Sequence, residues 1–157
     1  MSDIFKIQHD GIEGYNFVIF IPVQFGNVDG MGHLNNVSYF TFLETARIEY
    51  FIHVMEIKEQ SPALQDMPFI LAAQSINYRL PAFYREMLMV GLRTSWVRRS
   101  SFGFDFQMVD VASKRLVAEG NGTHVTFDYR ANRTIPVPDE WVARFEAYEG
   151  RSLRQPQ

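Results

Sequence analysis

Between residues 23 and 36 the chain reads VQFGNVDGMGHLNN, a stretch that gathers the side chains best suited to chemistry. It offers a carboxylate at Asp29, an imidazole at His33, carboxamides at Asn35 and Asn36, and glycines at Gly30 and Gly32. A helix-forming run follows at once, and unpaired N–H groups and the helix dipole favour negative charge at such an entrance. One reading is therefore capping, because Asp, Asn and Gly satisfy those donors. Asn35 and Asn36 stand close enough to the run to do so, whereas Asp29 is held off by GMGHL. The other reading is acyl transfer. Main-chain amides hold a carbonyl oxygen while the carboxylate attacks the carbon or activates water, and Gly30 and Gly32 leave room for another molecule against the backbone.

His33 has the chemistry of a metal ligand or a general base. His9, His53 and His124 are scattered, with none at ligand spacing, so no metal site is expected and the imidazole reads as structural or substrate-orienting. Glu44 and Arg47 are three residues apart, facing neighbours on a helix, yet they fall among Phe40, Leu43 and Phe51. They read as a buried ion pair, whose desolvation cost limits its net stabilisation, or as a site where Glu44 orients water or substrate.

The elements that must carry these groups follow from pattern. YNFVIFIPVQF (15–25) is β-branched and aromatic, a strand with Pro22 toward its end. NNVSYFTFLETARIEYFIHVMEI predicts one long helix. Ser38, Thr41, Thr45 and Glu49 make a narrow polar stripe, and the rest of the circumference is apolar, as in a helix surrounded by protein. KEQSPALQDMP breaks the pattern. Strands are then predicted over 69–84 with an interruption at Pro81, over 87–97, over 102–110 with Phe102, Phe104, Phe106 and Met108 on one face, and over 116–129. Gly120 and Gly122 mark a bend or a close backbone approach. PVPDEWVARFEAYEG closes with a short helix between Pro138 and Gly150. Successive strands joined by short turns predict an antiparallel sheet, and the greasy helix predicts that this sheet curls around it. The fold class is α+β.

Composition bounds the rest. A length of 157 residues suits one domain with a substantial core. Fourteen Phe residues require a dense core, a subunit interface or an apolar pocket. The net charge of −3 supplies no global field toward nucleic acid. The absence of Cys excludes disulfides, thiolate catalysis and Cys-based metal sites and fits a reducing cytosol. MSDIFKIQHD lacks the apolar region of a signal peptide, and no segment has the apolar length of a membrane span. The expectation is a cytoplasmic, single-domain protein over 1–157, with its core at about 15–130 and a terminal helix at about 138–150, and with no nucleic-acid or membrane partner.

With those residues in view, the chain resembles the hot-dog fold thioesterases of the 4-hydroxybenzoyl-CoA thioesterase-like family. The family signature, Asp-x-x-Gly-His-x-Asn-Asn followed by a Tyr and Glu-x-Ala-Arg, is met by Asp29, Gly32, His33, Asn35, Asn36, Tyr39, Glu44, Ala46 and Arg47. INYRLPAFYREMLMVGLRT is similar to the family's aromatic-x-x-Pro element. The resemblance implies an antiparallel sheet wrapped around one long central helix, homodimers or homotetramers with sites between subunits, and hydrolysis of an acyl-CoA thioester without a cofactor. An acyl-carrier protein is a possible alternative thiol carrier. It also implies Asp29 as base or nucleophile, the Asn36 N–H as the carbonyl's donor, and His33 and Asn35 as loop-shaping residues. CoA phosphates would meet Arg98, Arg99, Ser100 and Ser101, which equally suit a solvated turn; Tyr39 completes the substrate-facing set. Where many relatives carry Asp two residues before the catalytic one, this chain has Asn27, and losing a like charge should leave Asp29 easier to ionise. Two alternatives keep the fold: a hydroxyacyl-thioester dehydratase, whose motif is not found here, and a non-catalytic acyl-thioester binding module.

Overall fold

The computed structural model describes residues 11–58 and 67–156; the stretch MSDIFKIQHD and most of KEQSPALQDMP lie outside them. Alternation builds the sheet. In Ser101–Asp110 (β4), Phe102, Phe104, Phe106 and Met108 all point inward and are buried. They meet Leu43, Ala46, Tyr50 and Phe51 of the helix Asn36–Val54 (α1) in one apolar cluster. The other strands are Phe17–Pro22 (β1), Phe69–Tyr78 (β2), Met87–Val97 (β3), Leu116–Asp128 (β5) and the short Arg133–Thr134 (β6), and a second helix spans Asp139–Glu149 (α2). Every pairing between these strands is antiparallel. The expected sheet around one helix is the observed architecture, with α2 added at one end, against Tyr50.

The order of strands differs from simple succession. It runs β1–β3–β4–β5–β2, so β2 lies beyond β5 instead of beside β3. Burial explains the exchange. Most of β3 is buried, and β3 takes a neighbour on each side, whereas nearly every position of β2 is exposed or half-buried, as suits an edge. Gly120 and Gly122 make the β2–β5 approach possible. A Cβ at Gly120 would run into the Ser75 carbonyl oxygen, and one at Gly122 into the Phe104 ring. β2 also ends at Tyr78, short of the predicted interruption at Pro81.

Antiparallel pairing gives the sheet two distinct ends. At one end β1 finishes, β3 begins and α1 enters, with Pro22 opposite Met87. At the other, Val97 faces Phe102, Ser101 faces Val125, and α1 leaves. Among the described residues no helix is long and apolar enough to cross a membrane.

Candidate active site

The stretch 23–36 folds at the α1 entrance as a small hairpin. Val28 and Leu34 bridge, the Asp29 N–H donates to the His33 carbonyl at 3.1 Å, and the Gly32 N–H donates to the Asp29 carbonyl at 3.0 Å. Gly32 has φ +87°, a left-handed conformation that glycine adopts without steric cost. The half-buried Asp29 accepts the Met31 N–H on Oδ1 at 2.8 Å. Asn27 braces the base: its Oδ1 accepts the Gln24 N–H at 2.9 Å, and its carbonyl accepts the Asn35 N–H at 2.8 Å.

Capping falls to Asn35 and not to Asp29. Asn35 is the N-cap, and its Oδ1 accepts the Val37 N–H at 3.0 Å. The Ser38 N–H is taken by the Asn35 carbonyl at 2.9 Å. Among the described residues no acceptor is paired with the N–H of Asn36, the first helical residue. The entrance thus keeps a main-chain donor beside a hairpin that carries a carboxylate, the two parts that acyl transfer requires. His33 is half-buried and its backbone bridges to Phe83.

Tyr39 is drawn into the core. It is buried edge-on against Tyr78, ring centroids 4.9 Å apart, and its phenol is raised above the ordinary tyrosine range, chiefly by burial and next by Tyr78. Its place is in the wall behind the hairpin. Glu44 and Arg47 also part company: no ion pair joins them. Glu44 is exposed, while Arg47 is 8% exposed and donates to Gln74 Oε1 at 2.9 Å with its guanidinium over the Phe104 ring. Burial lowers the Arg47 pKa, and Glu44 acts on it only through the field. The separation arises because side chains three apart on a helix diverge when one meets the sheet edge and the other meets solvent.

Arg98, Arg99, Ser100 and Ser101 form the turn between β3 and β4, at the opposite end of the sheet from Asp29. The ten steps from Met87 to Val97 alone amount to roughly 33 Å of strand. One chain therefore gathers Asp29, His33, Asn35 and Asn36, with Glu44 further along the exposed side of α1, and leaves the Arg98–Ser101 turn apart. Among the described residues no group of His, Asp and Glu gathers as a metal site would need.

The rim of the hairpin is apolar and open. Phe25 is 78% exposed, Met31 79% and Val37 69%, and Phe40, Phe83 and Tyr84 join them. A groove of about 1060 Å³ lies elsewhere, between β1, the end of α1 and α2. The segment 82–86, which carries Phe83, Tyr84 and Arg85, is bonded directly to the hairpin through the Leu34 N–H and the Ala82 carbonyl at 2.7 Å. The residue reading did not single out this segment; a turn obliged to follow Pro81 was the signal available.

A family model described as the thioesterase-like superfamily matches residues 23–145. The uncharacterized protein YsmA of Bacillus subtilis (strain 168) is 30% identical over 87 residues, which are 55% of this chain and 56% of that protein. The match thus spans about half the length of that relative. Among solved structures, a thioesterase complexed with coenzyme A and Zn from Thermus thermophilus aligns at TM-score 0.79 and 29% identity, covering 90% of this chain and 100% of that one. A 1,4-dihydroxy-2-naphthoyl-CoA thioesterase from Synechocystis aligns at TM-score 0.69 and 21% identity, covering 82% of this chain and 94% of that one, a likeness of fold.

Proposed function

The chain belongs to the thioesterase-like superfamily, and on that premise we propose that it hydrolyses an acyl-CoA thioester to a carboxylic acid and free CoA. The observation that carries this reading is the pairing at the α1 entrance: a carboxylate tethered in a hairpin, and an Asn36 N–H left without an acceptor among the described residues. In the proposed reaction the thioester oxygen accepts the Asn36 N–H, which stabilises the charge that develops there as the carbon becomes tetrahedral. Asp29 either takes a proton from the attacking water or attacks the carbon itself, forming an anhydride that water then opens. On the first route collapse expels the CoA thiolate, which gains that proton; on the second the thiolate leaves as the anhydride forms, and the water that opens the anhydride supplies the proton and restores the Asp29 carboxylate. His33, through its backbone bridge to Phe83, and Asn35, through its cap, hold the loop that presents Asp29.

The site belongs to an assembly in this reading. Exposed apolar side chains surround Asp29, and among the described residues β2 leaves an unpaired edge carrying exposed Ile70, Leu71 and Tyr78. A second copy pairing antiparallel along that edge would cover the apolar rim. It would also bring its own β4 start toward this chain's α1 entrance, because a two-fold across β2 sets the beginning of one β2 beside the end of the other. Arg98, Arg99, Ser100 and Ser101 serve CoA in this reading only from that second copy.

The test is release of free thiol from a panel of acyl-CoAs of different length and aromaticity. Turnover of at least one, abolished or strongly reduced in Asp29→Asn, supports the reading. Tight acyl-CoA binding without turnover, or hydration of a crotonyl-type substrate instead, overturns it.

A further inference from the structure

Arg85 occupies a position that suits glycine. Phe83–Glu86 is a tight turn closed by the Glu86 N–H donating to the Phe83 carbonyl at 3.1 Å, and Arg85, its third residue, has φ +75°. A positive φ at that place characterises turns that favour Gly or Asn, and a long side chain there is strained. The surroundings over-determine the strain. The Arg85 N–H donates to the Val23 carbonyl at 3.1 Å, the Val23 N–H donates to the Glu86 carbonyl at 2.9 Å, and the Phe83 N–H donates to Glu86 Oε2 at 3.1 Å. With the Leu34–Ala82 bond and the His33–Phe83 bridge, turn and Asp29 hairpin form one hydrogen-bonded unit.

What this backbone presents is a cation on an aromatic shelf. The Arg85 guanidinium lies 5.4 Å from the Tyr84 ring centroid, and the Tyr84 ring meets that of Phe25 edge-on at 5.8 Å. All three side chains are exposed. At the same end of the sheet Arg79 pairs with Glu119 and Arg115 with Glu86. Among the described residues no carboxylate pairs with Arg85, and the adjacent Glu86 is engaged by Arg115 instead. A planar guanidinium over a ring, on an exposed side chain, suits bidentate recognition of phosphate.

We propose that Arg85, supported by Tyr84 and Phe25, binds a phosphate group of the CoA carrier in the same chain as Asp29. This rests on the thioesterase reading above and adds to it a binding residue. The residue serves the ligand at the expense of the turn, since glycine would relax the backbone and remove the cation together.

Arg85→Gly makes the test. For one acyl group, kcat/KM is measured on the CoA thioester and on the N-acetylcysteamine thioester, which bears no phosphate. The expected result is a roughly tenfold fall in the preference for the CoA thioester, carried by KM, with a Tm at or above that of the wild type; Arg85→Lys, which keeps the charge without the fork, should fall between. An unchanged preference ratio overturns the proposal. If the wild type hydrolyses neither thioester, the function proposed above fails and Arg85 is judged by calorimetric binding of CoA itself. Binding about tenfold weaker in Arg85→Gly supports its role; equal affinities, or no binding by the wild type, overturn it.

Discussion

The two ends of the sheet hold their polar groups in opposite ways. At the α1 entrance short side chains are tied to neighbouring backbone, and the groups left over, Asp29, the Asn36 N–H and Arg85, are at least partly open to solvent. At the far end polar groups are buried and largely satisfy one another. The Tyr50 hydroxyl donates to Glu149 Oε1 at 2.6 Å, and the same oxygen accepts the Thr94 N–H at 3.2 Å, joining α1, α2 and β3. His124 sits 5% exposed among the rings of Phe69, Phe102 and Phe104, with Nδ1 unpartnered. Burial raises Tyr50 and Glu149, and burial, aided by the Arg47 charge, pushes His124 down to about 3. Perturbed titration often marks a functional site, but Tyr50, Glu149 and His124 belong to the end that clamps the helices. The entrance has donors and acceptors to spare; the far end has spent nearly all of them on stability.

Several substitutions would break or sharpen that contrast. Asp29→Asn should lower kcat by about 10²–10⁴ while leaving the melting temperature nearly unchanged; wild-type turnover on the best acyl-CoA would dissolve the distinction between the ends. His124 acts on stability alone. Its folded pKa of about 3 lies below the ordinary value of 6.5, so the unfolded chain takes up the proton first. Its contribution is therefore complete above pH 6.5 and is lost as pH falls toward 3, at about 1.4 kcal/mol per unit. Urea unfolding across that window should show the loss in the wild type, and His124→Phe should flatten it.

The Arg98→Ala, Arg99→Ala double variant should raise the KM for acyl-CoA about tenfold, a loss of about 1.4 kcal/mol, with kcat little changed. Co-expressed with Asp29→Asn, it should form mixed assemblies with a higher kcat/KM than either parent, measured at substrate concentrations below KM, because one site in each regains both parts. No complementation would leave those arginines as a solvated turn. The smallest effect belongs to Tyr50→Phe, which removes one buried hydrogen bond, costs about 1 kcal/mol and should lower Tm by about 2–4 °C, with acyl-CoA turnover as in the wild type.

The sequence made legible whatever depends on local pattern. The length of α1, the alternating phenylalanines of β4 and the stop at Gly150, in a left-handed conformation at φ +72°, are each written within a few residues, whereas the expected polar stripe of α1 is not kept, since Ser38 is buried and Val37 and Phe40 are exposed. Also written locally is the polar stretch that opens α1, though not its folding as a hairpin. What escaped depends on distant parts meeting. The partner of Arg47 is Gln74 rather than Glu44, because β2 passes α1 at the sheet edge, and a crossover is invisible in spacing. The distance between Asp29 and the Arg98–Ser101 turn follows from the length of β3 and the direction of its pairing. Arg85 was hidden because its role arises from a backbone torsion that an arginine does not advertise.

Asn27 has one more consequence. It locks the hairpin base through a carboxamide that accepts the Gln24 N–H, and a carboxamide has no proton to gain across the range in which carboxylates titrate. The bond at the hairpin base therefore stays in place where a carboxylate in the same position would be weakened as an acceptor by taking up a proton.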